Sequence, residues 1–125
     1  MGTDIDGWIE YRNIDLDDET WYPAMKIGVV YLGRDYETFG YLFGIRILDV
    51  QPIAARRGLP ANVSPQVRED ATYANLYAHT WITWHEMKQG NWKRDVYWDP
   101  TIRVLEVLGG LYGDENIRLV VWFED

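Results

Sequence analysis

The chain is predicted to form a single α+β domain over residues 1–125, with a mainly antiparallel sheet and three to four short helices. Three features carry that prediction. Residues 3–12 alternate between apolar and polar side chains, Ile117–Phe123 is an almost unbroken apolar run, and the pairs Ser64-Pro65 and Asp99-Pro100 each place a capping side chain before a first-turn proline. With 125 residues and 47% hydrophobic content the chain is long enough for one core and too short for two ordinary domains.

In the opening strand, Ile5, Ile9 and Tyr11 share one face with Gly7, and Asp4, Asp6, Trp8 and Glu10 share the other. An acidic turn over 13–19 follows, and then a second strand is expected over Ala24–Tyr31, ending at Gly33. A buried helix is expected over 34–43. Tyr36, Phe39, Gly40 and Phe43 recur on one helical face, something must pack closely on Gly40, and Gly44 stands where a helix end favours glycine. Ile45–Val50 reads as a short extended piece. Residues 51–62, punctuated by Pro52, Gly58 and Pro60, read as a loop or arm carrying Arg56 and Arg57.

From Pro65 to about Tyr73 the pattern is a polar, exposed helix. Tyr77–Ile82 reads as a strand, and Thr83 with Glu86 matches a capping box that opens a short helix reaching Gln89. Residues 91–98 fit loop or strand. The helix opened by Asp99-Pro100 carries an apolar stripe of Val104, Leu105, Leu108, Leu111 and Tyr112 and stops at Gly113. Ile117–Phe123 is apolar on both faces and belongs at the centre of the sheet, with the first strand as its neighbour.

Seven Trp and nine Tyr stand against three Phe, so many of the large rings carry a polar group suited to a core or to a binding surface. The net charge of −8 opposes general nucleic-acid binding, which needs cations to displace counterions. No cysteine is present, which removes disulfide and thiolate chemistry. Without a membrane-length apolar run or a signal-like start, the chain is expected to be soluble and cytoplasmic.

No nucleophile elbow, phosphate loop or dinucleotide fingerprint occurs, so the residues favour binding over turnover, with no catalytic residue and no cofactor assigned. Arg34, Tyr36, Arg46, Arg57, His79 and Trp81 are the expected ligand-binding set. Arginines grip a phosphate or carboxylate while aromatic faces hold a base or sugar. The structural alternative is that these arginines pair with the abundant acids or cover apolar surface with their stems, and that His79 is a hydrogen-bonded core residue. No metal is assigned; a metal-assisted hydrolase would draw on Asp4, Asp6 and His79. Asp15, Asp17 and Asp18 belong to an acidic surface that is either solvated or a protein-interaction face. The expected partner is a small anionic ligand or a host protein, self-association being open.

The start Met1-Gly2 with Asp4-Ile5, the run Arg34-Asp35-Tyr36 with Phe39 and Gly44-Ile45-Arg46, Pro52-Ile53, Arg57-Gly58-Leu59-Pro60 with Val63-Ser64-Pro65, His79 with Trp81, and the close Val120-Val121-Trp122-Phe123-Glu124-Asp125 form a distinctive set. On these motifs the chain resembles a family of small, mostly uncharacterised proteins encoded by bacteriophages and by bacterial genomes carrying phage-derived genes. Nearly the whole chain is spanned. The resemblance implies a phage accessory role, such as counter-defence, without naming a chemistry. Two departures stand out: relatives often carry histidine where this chain has Asp6, and they are more serine-rich around His79 to Trp84.

Overall fold

The computed structural model describes residues 2–16, 19–92 and 95–125. Four antiparallel strands, β1 (Asp4–Arg12), β2 (Trp21–Lys26), β3 (Tyr77–Thr83) and β4 (Ile117–Glu124), lie in the order β2-β1-β4-β3. Helices α1 (Tyr36–Phe43), α2 (Pro65–Ala71), α3 (Trp84–Gln89) and α4 (Asp99–Tyr112) complete an α+β domain. The first and last strands are neighbours, paired in register from Asp4↔Glu124 to Tyr11↔Ile117. Gly7 makes this closeness workable: at φ +148° it has no side chain to meet the Val120 carbonyl and Val121 backbone of β4.

Because side chains alternate across a strand, the sheet has two unlike faces. Ile9, Ile82, Ile117, Leu119, Val121 and Phe123 point into the main core, where Phe39, Leu42 and Phe43 of α1, Trp84 and Met87 of α3 and Ile102 and Leu105 of α4 meet them. On the other face Val120 and Trp122 form a smaller cluster with Val63, Val67 and Ala71, flanked by Trp8, Leu59 and Trp81. β4 is buried on both sides over Ile117–Phe123, as its apolar run predicts.

Local signals at the helix ends act as expected. The Asp35 side chain accepts from the Thr38 backbone N–H, and Gly44 closes α1 in the left-handed conformation. Thr83 and Glu86 form the complete capping box of α3. The contact required at Gly40 is Ile47, whose Cβ lies 2.6 Å from where a Gly40 side chain would begin.

Several expectations need correction. The second strand runs over Trp21–Lys26 rather than Ala24–Tyr31, and Ile27–Val29 is a 3-10 turn in which the Ile27 carbonyl accepts from Val30 and Tyr31. Pro23 is tolerated because β2 is an edge strand facing a bulge between Ile9 and Glu10. Ile45–Val50 is not extended: Arg46 has φ 71°, and the Ile47 N–H turns back to Ile45. α2 is half-buried, with Val67 and Ala71 packed on the sheet. In α4 the buried row is Thr101, Ile102, Leu105 and Gly109; Leu111, six residues beyond Leu105 and so across the helix, is 68% exposed. Within 91–98 the described part ends in a 3-10 turn over Val96–Trp98. No helix among the described residues is long and apolar enough to cross a membrane.

Candidate functional site

Strand register gathers a set of residues that are remote in sequence. Glu10 stands opposite Arg118, Arg118 opposite Thr83, and Arg12 opposite Trp21, so one end of the smaller sheet face collects two arginines and an indole. The arm between α1 and α2 crosses this end and adds Arg57 and Leu59 beside Trp81 of β3. Between sheet and arm lies an open groove of about 590 Å³, lined by Arg12, Trp21, Arg57, Leu59, Trp81 and Arg118 among others.

Its floor is a buried ion pair. The Arg118 side chain is 5% exposed and that of Glu10 0%. Arg118 Nε donates to Glu10 Oε1 at 2.8 Å and Nη1 donates to Asn62 Oδ1 at 3.1 Å, while Glu10 Oε2 accepts from the Ser64 backbone N–H at 2.8 Å. The pair thereby fixes the arm to the sheet. Arg118 Nη2 also lies 2.7 Å from Glu10 Oε1 and completes the ion pair. Burial pulls the Arg118 pKa down from its ordinary value, the Glu10 carboxylate opposes that shift, and the positive charge of Arg12 adds to it. The guanidinium packs 3.9 Å from the centre of the Trp21 ring.

Arg57 is consumed by its surroundings. It donates to both Glu86 oxygens, at 2.9 and 2.7 Å, and to the carbonyls of Ile53 and Trp81, while its guanidinium sits 4.7 Å from the Trp81 ring centre. The hydrogen bonds from Arg57 hold the Glu86 carboxyl below its usual range, with the Thr83 N–H helping and burial opposing.

Arg12 is held differently. Its Nε and Nη2 donate to Asn116 Oδ1 at 3.1 and 2.9 Å, and the Asn116 amide is itself oriented by donating to the Tyr112 carbonyl. Its guanidinium also lies 4.8 Å from the Trp21 ring centre. Among the described residues no carboxylate forms an ion pair with Arg12. A neutral amide oxygen aims this cation without cancelling it.

The residues expected from sequence to bind together are divided among three places. Arg34, Tyr36 and Arg46 sit where β1 begins and β4 ends. Arg34 pairs with Asp4 at 2.7 Å, the Tyr36 hydroxyl accepts from the Thr3 N–H at 3.1 Å, and Arg46 stacks 4.4 Å from the Tyr36 ring centre while reaching the Thr3 hydroxyl. Asp125 joins them by accepting from Thr3 and Tyr77, which hold its carboxyl below its usual range. This cluster fastens the first strand to the last. Arg57 and Trp81 do meet, in the groove. His79 belongs to neither site: its Nε2 donates to the Ala71 carbonyl at 2.8 Å, and its ring packs near Trp122.

Asp4, Asp6 and His79 are not gathered either. Asp4 is engaged by Arg34, Asp6 accepts from the Gly7 N–H, and no group of three metal-ligating side chains converges among the described residues. Asp15 is exposed, while Asp17 and Asp18 lie outside the described residues.

Sequence reasoning missed Arg12, Trp21, Asn116 and Arg118. The available signal was Arg118 itself, a single charge inside an otherwise apolar strand, which must find a buried partner. Glu10, on the polar side of β1, was the acid in position to supply it. No protein family, curated protein or solved structure matches the chain.

Proposed function

We propose that this is a phage-type accessory protein that acts by binding rather than turnover, capturing a small anionic, nucleotide-like ligand in the groove between Arg12, Trp21, Trp81 and Arg118. Sequestration of such a molecule is a counter-defence role in keeping with the phage-type motifs. The observation that carries the reading is Arg12, a cation oriented by the neutral Asn116 amide at the mouth of a groove walled by indoles. Guanidinium groups recognise carboxylates and phosphates through paired N–H donors, and apolar rings beside them accommodate a base or sugar. The binding set moves accordingly: Trp81 stays in it, Arg12 and Trp21 enter it, Arg57 and Arg118 hold the wall and floor through their own ion pairs, and Arg34, Tyr36, Arg46 and His79 serve the fold.

A thermal-shift screen against cyclic nucleotides and ADP-ribose-type nucleotides tests the reading, backed by tryptophan fluorescence. At least one class should raise the melting temperature, because a ligand bound only by the folded state stabilises it by mass action. Flat melting curves across the whole set would remove the proposal.

A further inference from the structure

We infer that the groove selects a ligand head bearing a single negative charge, a phosphodiester or a carboxylate, and rejects polyphosphates. The inference rests on the binding reading above and adds its charge specificity. Three guanidiniums line the groove, but two are already neutralised: Arg118 by Glu10 and Arg57 by Glu86. Both terminal nitrogens of Arg57 are taken up by Glu86 and by the Ile53 and Trp81 carbonyls. Arg12 alone, among the described residues lining the groove, brings a cation without a paired carboxylate.

Hydrogen-bond capacity agrees with charge. Arg12 Nη1 makes none of the guanidinium's bonds to Asn116, which use Nε and Nη2. Arg118 Nη2 is buried and lies 2.7 Å from Glu10 Oε1, so it faces its own carboxylate and not the groove. Arg12 Nη1 is therefore the donor left for one compact oxyanion. A longer chain of phosphates would extend toward the rim, where Glu115 stands with its side chain 76% exposed, and into the field of a protein whose net charge is −8. Leu59 and Trp81 give the uncharged part of the ligand an apolar wall.

Titration calorimetry at fixed ionic strength tests this with five probes: an uncharged nucleoside, its singly charged cyclic monophosphate, its 5′-monophosphate, its 5′-triphosphate and its 5′-carboxylate. The cyclic monophosphate or the carboxylate should bind tightest, and the triphosphate at least about tenfold more weakly. Tight binding of the first alone assigns a phosphodiester head, and equal binding of both assigns any compact monoanion. Arg12→Gln should weaken the preferred probe about tenfold or more. Glu115→Gln, an exposed and fold-neutral change, should raise triphosphate affinity several-fold while leaving the preferred probe within about twofold. Affinity that climbs with ligand charge, or a triphosphate affinity untouched by Glu115→Gln, overturns the charge specificity and leaves the binding reading standing. Absence of binding by all five removes both.

Discussion

At the scale of single residues, the Glu10–Arg118 pair and Tyr31 are both withdrawn from solvent, the first as charges and the second as a neutral phenol. Both members of the pair are withdrawn from water, and attraction between them offsets a large desolvation cost. Glu10→Gln keeps an acceptor for the Ser64 N–H but strands the arginine charge, so stability should fall by about 3–5 kcal/mol, read from the denaturant midpoint at constant slope. Replacing both partners, Glu10→Met with Arg118→Leu, should recover part of that loss, since an apolar pair strands no charge, although the Ser64 N–H then loses its acceptor. A single variant within about 1 kcal/mol of the parent would show that water reaches the pair. Tyr31 is buried against Trp98, its ring centre 4.2 Å away, and its hydroxyl accepts from the Asp35 N–H. Burial pushes its pKa up to about 12, with the nearby acids adding to the shift and the Asp35 hydrogen bond opposing it. A raised folded-state pKa stabilises fully below the unfolded value, about 10, and is lost as pH climbs toward the folded one. The chain should therefore lose stability between about pH 10 and 12. Tyr31→Phe should flatten that part of a stability-versus-pH curve, and an unchanged alkaline slope would assign it to other groups.

Elements were legible in proportion to how local their causes are. The cap of α1 at Asp35, the capping box of α3 and the close of α1 at Gly44 depend on neighbours within four residues, and each forms as the sequence predicts. β2 depended on where its partner could pair, and the ladder stops at Trp8↔Lys26, one residue short of Gly7. Nothing within 21–31 encodes that stop. The tight contact on Gly40 was readable as a requirement, but its partner Ile47 was hidden by reading 45–50 as extended. Two glycine substitutions separate helix propensity from packing. Gly110→Ala in α4 adds a methyl to open space and should stabilise by about 0.5–1 kcal/mol. Gly40→Ala gains the same propensity but drives Cβ to 2.6 Å from Ile47 Cβ and 2.7 Å from its carbonyl oxygen, and should cost about 1–3 kcal/mol net. Thermal melts of the two variants should move in opposite directions; a stabilised Gly40→Ala would mean that the 45–48 turn yields easily.

Across the whole molecule, the arrangement of charges follows the sheet and not the order of the chain. Reading along the sequence grouped Arg34 and Arg46 with the rings of α1; Arg46 does stack on Tyr36, but the other partners, Asp4 and Thr3, come from the end where the first strand begins and the last finishes. The groove instead joins Glu10 to Arg118, 108 residues away, through an antiparallel register that no local pattern reveals. Its outer wall is the arm, which also shields β3 as an edge strand. Arg57 N–H donates to the Thr80 hydroxyl, Gly58 N–H donates to the His79 carbonyl, and the Thr80 hydroxyl donates to the Ala54 carbonyl. Arg57 and Glu86 fasten that wall to α3. Since the folded-state pKa of Glu86 is depressed, its contribution is present above the unfolded carboxyl value, about 4.3, and is lost as pH falls through the folded value. The arm should consequently loosen in acid before the sheet does. Native-state hydrogen exchange at neutral pH isolates the same contact in Glu86→Gln: the Arg57 and Gly58 amides should exchange about tenfold faster, in line with loss of a charge-assisted hydrogen bond, while Leu119 and Val121 in β4 report only global opening. If arm and β4 amides accelerate together, the arm opens only when the whole domain unfolds, and the groove has a fixed wall; if the arm alone accelerates, one ion pair sets how readily that wall parts from the sheet.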